Sequence, residues 1–195
     1  MRRMSYFGMI TCATIGFVGC FRSPAPRFFT LTPIAERANS GAMSPQGPRV
    51  TVVSLTIPAY LLDPRMCIIT NGNEVVRDEF ERWAEDLDTN FRRVFVEDLS
   101  RELRSSNISL SDSSTQSAGA HALRAEVLSF DTDTAGAARL RVRWSLERDA
   151  AQPSFVLSEW SETVQGDTPG ARAQALSSLI AAFAREIAAQ VPGTR

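Results

Sequence analysis

The sequence predicts one folded domain of the α/β class, with α+β as the alternative, in which two main helices lie on a mixed sheet of about five to six strands. Three observations lead there. Between Arg139 and Leu146 the residues alternate without a break: Leu140, Val142, Trp144 and Leu146 against Arg139, Arg141, Arg143 and Ser145. Strict alternation marks a strand with one face in the core and one in water. Phe91, Phe95, Leu99 and Leu103 recur every four residues with Val94 beside them, and Leu176, Leu179, Ile180, Phe183 and Ile187 form a second stripe of helical period. A helix with a single apolar stripe must bury it against another layer, so both helices are expected on the sheet.

The chain opens with Arg2 and Arg3 ahead of an apolar run from about Tyr6 to Val18. Roughly a dozen residues suit the hydrophobic region of an export signal and fall short of the ~20 that cross a bilayer as a helix. The run closes on Gly16-Phe17-Val18-Gly19-Cys20, which resembles the lipobox of bacterial lipoproteins. The Cys20 thiol is the nucleophile that takes up a diacylglyceryl group, and small Gly19 lets the peptidase reach the bond before it. Phe17 replaces the usual Leu. Cys12 would leave with the signal, so an acylated Cys20 leaves Cys67 without a partner; within Met66-Cys67-Ile68-Ile69 it is expected to be a buried, inert thiol, with a Cys20–Cys67 disulfide as the rival.

The expected organisation is a signal peptide at 1–19, a lipidated tether and linker at 20–48 with a short extended segment at 28–32, and a folded domain at 49–195. Ile34 to Pro48 has the Ala/Gly/Ser/Pro content of a long loop. Arg49 to Ile57 is dense in β-branched residues and closed by Pro58, a clear strand. Met66–Thr70 and Glu74–Arg77 flank Asn71-Gly72, a strong hairpin signal because both residues tolerate positive φ. Phe80, Trp83, Ala84 and Leu87, three and four apart, suggest one or two helical turns, and Asp88 or Thr89 is placed to cap the helix that follows. Asn107–Leu110 is a short strand, and Ser111–Gly119 a Ser-rich loop. Leu123–Phe130, Arg139–Leu146 and Phe155–Thr163 read as an antiparallel meander. Thr168-Pro169 opens the last helix and Pro192-Gly193 closes it.

Chemistry-bearing patterns are scarce. Net charge is −1 and no basic run occurs, which argues against nucleic acid as a partner. With one histidine, His121, in the whole chain, no zinc-type spacing exists and no metal or other cofactor is expected. His121 beside the Ser-rich loop reads as solvated. Glu79, Glu81, Glu85, Asp86 and Asp88 are interleaved with Arg77 and Arg82, a charge-paired face rather than an acid/base pair. Catalytic residues are therefore expected to be none. Trp83, Trp144 and Trp160 read as packing residues. Contacts beyond the core are expected at Tyr60, Leu61 and Leu62, apolar residues that leave the sheet after Pro58, and at Trp83, an aromatic among charges. The competing expectation is that Tyr60 and Trp83 pack together and close the domain edge.

Several segments, in order, resemble the ABC-type transport auxiliary lipoproteins, the PqiC/YmbA group: Phe28-Phe29-Thr30-Leu31, Ile57-Pro58-Ala59-Tyr60-Leu61, Phe80-Glu81-Arg82-Trp83-Ala84-Glu85-Asp86-Leu87, the Asn90–Leu103 helix, Phe130-Asp131 and Leu140–Leu146. The likeness spans nearly the whole mature chain. Its most specific part is the Phe80–Glu85 segment. The sequence departs from the group at Asp86, often Pro there, and at Asp63-Pro64. The resemblance implies a non-enzymatic, palmitate-type lipid-anchored protein on the periplasmic face of the outer membrane. Its partners would be a mammalian-cell-entry (MCE) domain transport protein and that protein's membrane permease. Its role would be lipid transport and membrane integrity, by docking, with self-association into a homo-oligomer. The alternative is a free-standing structural or assembly lipoprotein of the cell envelope.

Overall fold

The computed structural model describes residues 23–34, 42–111, 119–148 and 152–192; the signal segment, Cys20 and most of the Ser-rich loop lie outside them. In chain order the elements are β1 (Arg27–Phe29), β2 (Val50–Thr56), a 3-10 turn (Ala59–Leu61), β3 (Arg65–Thr70), β4 (Glu74–Trp83), α1 (Leu87–Glu102), β5 (Ile108–Leu110), β6 (His121–Asp133), β7 (Ala137–Arg148), β8 (Val156–Thr163) and α2 (Pro169–Gln190).

The class fits the expectation in its alternative form, a mixed α+β domain, but among the described residues the sheet has eight strands rather than five to six. The count rises because the short segments expected at 28–32 and 107–110 both join the sheet, as β1 and β5, three residues each and parallel to β4 and β2. The sheet is organised around β6. Along one edge β6 pairs antiparallel with β7 from His121↔Arg148 to Thr132↔Ala138, and β7 pairs with β8, the expected meander. Its other edge is shared. The first half runs parallel to β2, as far as Thr56↔Glu126, and the last two residues run parallel to β3, at Ile68↔Thr132 and Ile69↔Asp133. Two ribbons therefore hang from one strand: β2–β5, and β3–β4–β1.

Both helices cover one face of this sheet and each other. Phe91, Val94, Phe95 and Leu99 of α1 are fully buried, as are Ile180, Phe183 and Ile187 of α2. The Phe95 and Phe183 rings stack at 4.7 Å, Phe91 meets Phe130 of β6 edge-on at 5.1 Å, and Trp160 of β8 tilts against Phe183 at 5.6 Å. Thr168 caps α2 as the sequence suggests, its hydroxyl accepting from the Ala171 N–H, with Pro169 at the first helical position. The β3–β4 hairpin turns through Asn71 (φ 50) and Gly72 (φ 80), the left-handed pair that its Asn-Gly promised.

Two expectations are corrected. The stretch 78–83 is not helical: it is the end of β4, with Glu81, Arg82 and Trp83 against Arg27, Phe28 and Phe29 of β1. Spacing of three between Phe80 and Trp83 puts them on opposite faces of a strand, and pairing with β1, more than fifty residues earlier, decides the conformation that local period misjudges. α1 accordingly starts earlier, at Leu87 with Asp86 as its N-cap. His121 is not a loop residue but the first of β6, its N–H donating to the Arg49 carbonyl at 2.9 Å.

Phe95→Ala removes a ring with no solvent exposure from the α1–α2 contact. A loss of about 3–5 kcal/mol in unfolding free energy is expected by denaturant titration, as for other buried aromatic truncations.

Candidate docking surface

The start of the fold is fixed by side chains far away in sequence. After β1 the backbone leaves the sheet through a buried layer, where Leu31 is core, and its polar groups need partners there. α1 and α2 supply them. Asn90 Oδ1 accepts from the Leu31 N–H at 2.7 Å, Asp98 Oδ1 accepts from the Ile34 N–H at 3.0 Å, and Ser177 Oγ accepts from the Thr32 N–H at 3.1 Å. Asn90, Asp98 and Ser177 are all buried. On the helix-facing side of β4, buried Glu81 takes Arg27 at 2.6 Å and Arg172 of α2 at 3.6 Å. The extended segment at 28–32 is thus built into the domain's core and sheet.

The residues expected to make outside contacts separate into two groups. Leu61 is 3% exposed and Trp83 7%, so both are core side chains and neither offers surface to a partner. Trp83 owes this to the strand that carries it, which turns every second side chain toward the helices. Leu62, 57% exposed, and half-buried Tyr60 remain. The structure brings the two segments together through the backbone, since the Trp83 N–H donates to the Pro64 carbonyl at 2.7 Å. Tyr60 does not anchor on Trp83 through a hydrogen bond; its hydroxyl donates to Asp131 Oδ2 at 3.0 Å.

That bond has a topological cause. Between Glu126 and Thr132 the shared edge of β6 has no strand beside it, and the 3-10 turn connecting β2 to β3 fills the gap. Burial there pushes the Asp131 carboxyl above its ordinary value, against the Tyr60 bond and the Arg139 charge, which act the other way. Burial, then the Asp131 charge, raise the Tyr60 hydroxyl. The neighbouring Cys67 thiol is pushed up to about 11, first by burial and then by Asp131, so it stays protonated at neutral pH. Cys67 is half-buried, less enclosed than its apolar neighbours suggest, and is in no disulfide among the described residues. At the rim, Arg65 bridges Asp63 at 2.7 Å and Glu79 at 2.6 Å, and its hydrogen bonds hold the Asp63 carboxyl well below the usual range. Acids of the cluster are charge-paired, but with arginines other than the interleaved Arg77 and Arg82: Glu79 with Arg65, buried Glu81 with Arg27, Glu85 with Arg93 and Asp88 with Arg92.

Sequence reasoning missed a pair of exposed aromatics beside these residues. Phe28, 61% exposed, sits in β1 opposite Arg82, and Phe80, 39% exposed, lies two residues before Arg82 on β4. Phe29 and Glu81 face α2, as shown by Gly170 beside Phe29 and Arg172 beside Glu81. Phe28, Phe80 and Arg82 therefore lie on the face turned away from the helices. The signal was there in the doublet Phe28-Phe29, because adjacent strand residues point to opposite faces. At the far edge of the sheet, Phe155 and Leu157 around the start of β8 are also exposed, and the Arg143 guanidinium lies 5.2 Å from the Phe155 ring. A cavity of about 390 Å³ opens between the β6–β7 turn and the start of α2, lined by Asp133, Asp167 and Arg172 among others. Arg172 is already engaged there by Asp167 and Glu81. Among the described residues no three His, Cys, Asp or Glu side chains are grouped to hold a metal ion, and no helix is long and apolar enough to cross a membrane.

Comparison with known proteins gives one family and a set of similar folds. The family model of the ABC-type transport auxiliary lipoprotein component matches residues 29–188. The crystal structure of an uncharacterized protein superposes with a TM-score of 0.68 at 20% identity, covering 86% of this chain and 99% of the other. A crystal structure from Xanthomonas campestris, assigned to the DUF330 family model, gives 0.59 at 15% identity, with 84% and 91% covered. No curated protein matches the chain. The match begins at Phe29, inside β1, so it includes the segment that Asn90 and Asp98 hold.

Two outcomes test this geometry. Leu61→Ala should cost about 2–5 kcal/mol, as for other buried leucines. Leu62→Ala should shift stability by less than about 0.5 kcal/mol, as for surface residues. Denaturant titration distinguishes them. Asp131→Asn keeps an acceptor for Tyr60 and removes a titrating group. Because the folded state raises the Asp131 carboxyl, its contribution to stability is fully present below the ordinary carboxylate range and is lost as pH rises through the raised value. The melting temperature of Asp131→Asn relative to the parent should therefore climb between pH 4 and pH 7; a flat or falling difference contradicts the assignment.

Proposed function

Because the chain belongs to the ABC-type transport auxiliary lipoprotein component family, we propose that it is the lipid-anchored docking subunit of an MCE-type lipid transport system. The family is one of auxiliary transport components, which points to work by binding rather than by turnover. In this reading Cys20 carries the acyl lipid that holds the protein to the membrane. Stable anchoring takes more than one chain, since a single myristoyl-sized chain binds only marginally, and a lipoprotein cysteine carries two or three. Phe21, the residue after Cys20, is not an acidic retention signal, which favours the outer membrane with the domain facing the periplasm. The domain then engages the periplasmic portion of an MCE-domain protein and its permease, as a homo-oligomer, and the complex supports envelope integrity.

The observation that carries this reading is the family match across 160 residues, from 29 to 188, which spans every element from the end of β1 nearly to the end of α2. The structure adds what such a subunit needs. Its N-terminal segment is locked into the core, so a lipid on Cys20 would hold the whole domain and not a loose arm.

Crosslinking of the full chain in membranes, followed by mass spectrometry, tests the proposal. The expected products contain an MCE-domain protein and a membrane permease, and Cys20→Ala is expected to release the protein from outer-membrane fractions or leave it unprocessed. Products restricted to envelope structural proteins would replace this reading with the free-standing assembly role. Intact mass showing no acyl group on a mature Cys20 would remove the anchor.

A further inference from the structure

We propose that Phe28, Phe80 and Arg82 form a second, non-covalent membrane contact, seating the helix-free face of the β1–β4 corner on the phospholipid surface next to the anchor. The proposal rests on the reading of Cys20 as the lipidated residue.

Its first support is where the chain leaves the fold. Arg27 is seven residue steps beyond Cys20, and at ~3.3–3.6 Å per extended step they reach at most about 25 Å. A compact domain of this size is roughly 40 Å across, from the usual scaling of radius of gyration with length. The tether is therefore shorter than the domain, and the surface held toward the bilayer is the one surrounding the start of β1. Pro24 and Pro26, in the exposed coil just before β1, favour an extended path and limit folding back.

The second support is what that surface contains. Phe28 follows the exit point by one residue, and Phe80 immediately precedes Glu81, the partner of Arg27 at that exit. Both rings are exposed, whereas on the helix-facing side Phe29 is half-buried and Glu81 and Trp83 are buried. Exposed aromatic rings flanked by a cation are the composition that inserts at the headgroup boundary. Arg82 spends its Nε on the Glu79 carbonyl at 3.3 Å and makes no ion pair with any described carboxylate, which leaves its charge for a lipid phosphate. Of the two acids that precede Phe80, Glu79 is paired with Arg65 at 2.6 Å, and Asp78 accepts from the Phe80 N–H at 2.7 Å and keeps its charge. Arg22, between Cys20 and Arg27 in the sequence, adds a second cation to the tether.

The test uses the processed full chain reconstituted in phosphatidylethanolamine/phosphatidylglycerol vesicles with or without brominated acyl chains. Phe28→Trp places a reporter on the corner, and Phe155→Trp places one on the far edge, at a residue of similar exposure (50%). Bromolipid should quench the added emission of Phe28→Trp roughly twofold, as for a ring ~5–10 Å into the headgroup boundary, and leave Phe155→Trp unchanged. Equal quenching of both, or none at Phe28→Trp in vesicle-bound protein, overturns the proposal. In the second case, emission that shifts with protein density instead assigns the corner to a second copy. Intact mass scores the anchor separately. A non-acylated protein refutes the Cys20 reading, while Phe28→Trp quenching still decides whether this corner meets lipid.

Discussion

A short extended chain carried into a hydrophobic interior must find a hydrogen bond for every backbone N–H it brings, and this constraint shapes the N-terminal side of the protein. A sheet would normally provide the bonds, but past Phe29 the chain has left the sheet and runs across the helices. Asn90 and Asp98 answer the need from α1, two turns apart, and Ser177 answers from α2. Each is a polar residue placed where helix packing alone would favour an apolar one, and each costs free energy to bury unless its bond is made. The arrangement ties residues 30–34 to both helices at once. Together with the Arg27–Glu81–Arg172 contacts it makes β1 part of a three-way junction between the sheet edge, α1 and α2.

The second organising feature is the divided edge of β6. A strand of thirteen residues is long enough to carry two neighbours end to end, and the chain passes from one to the other through the 3-10 turn at Ala59–Leu61. That passage buries Leu61 under the gap and leaves Leu62 outside it. It also explains why an acid and a phenol meet there. With no strand along residues 127–131 on that edge, a side chain must approach β6 instead, and Tyr60 reaches Asp131.

Regular elements were legible in the sequence wherever one residue's environment repeats in its neighbours. The β7 alternation correctly assigns Leu140, Val142 and Trp144 to the core and Arg139, Arg141 and Arg143 to the surface, and it fails at Ser145, which is buried, and Leu146, which is only half-buried. The stripes of α1 and α2 and the Asn71-Gly72 turn were legible for the same reason. What the pattern hid was pairing between distant segments. Phe80 and Trp83 have a spacing that fits a helix, and only the presence of Arg27–Phe29 alongside makes them a strand. Asn90 looks like an ordinary polar position on a helix until Leu31 arrives. For the candidate surface, Tyr60–Leu62 was correctly singled out as a segment leaving the sheet, but which of its residues turn inward depends on the gap in β6. Phe28 and Phe80 went unnoticed as a pair because fifty-two positions separate them.

The way β1 is held also determines how the protein bears force. A pull on the chain before Arg27 acts along the axis of β1, so the ladder to β4 is loaded in shear and its bonds share the strain, instead of opening one after another as a peeled edge would. The Ala84 N–H on the Phe29 carbonyl, the Leu31 bond to Asn90 and the Ile34 bond to Asp98 then carry the load in series into α1. Resistance to such a pull is set by the rate at which this junction ruptures, not by the equilibrium stability of the fold. A domain tugged from its N-terminus therefore depends mechanically on a few polar atoms buried beneath a strand of three residues.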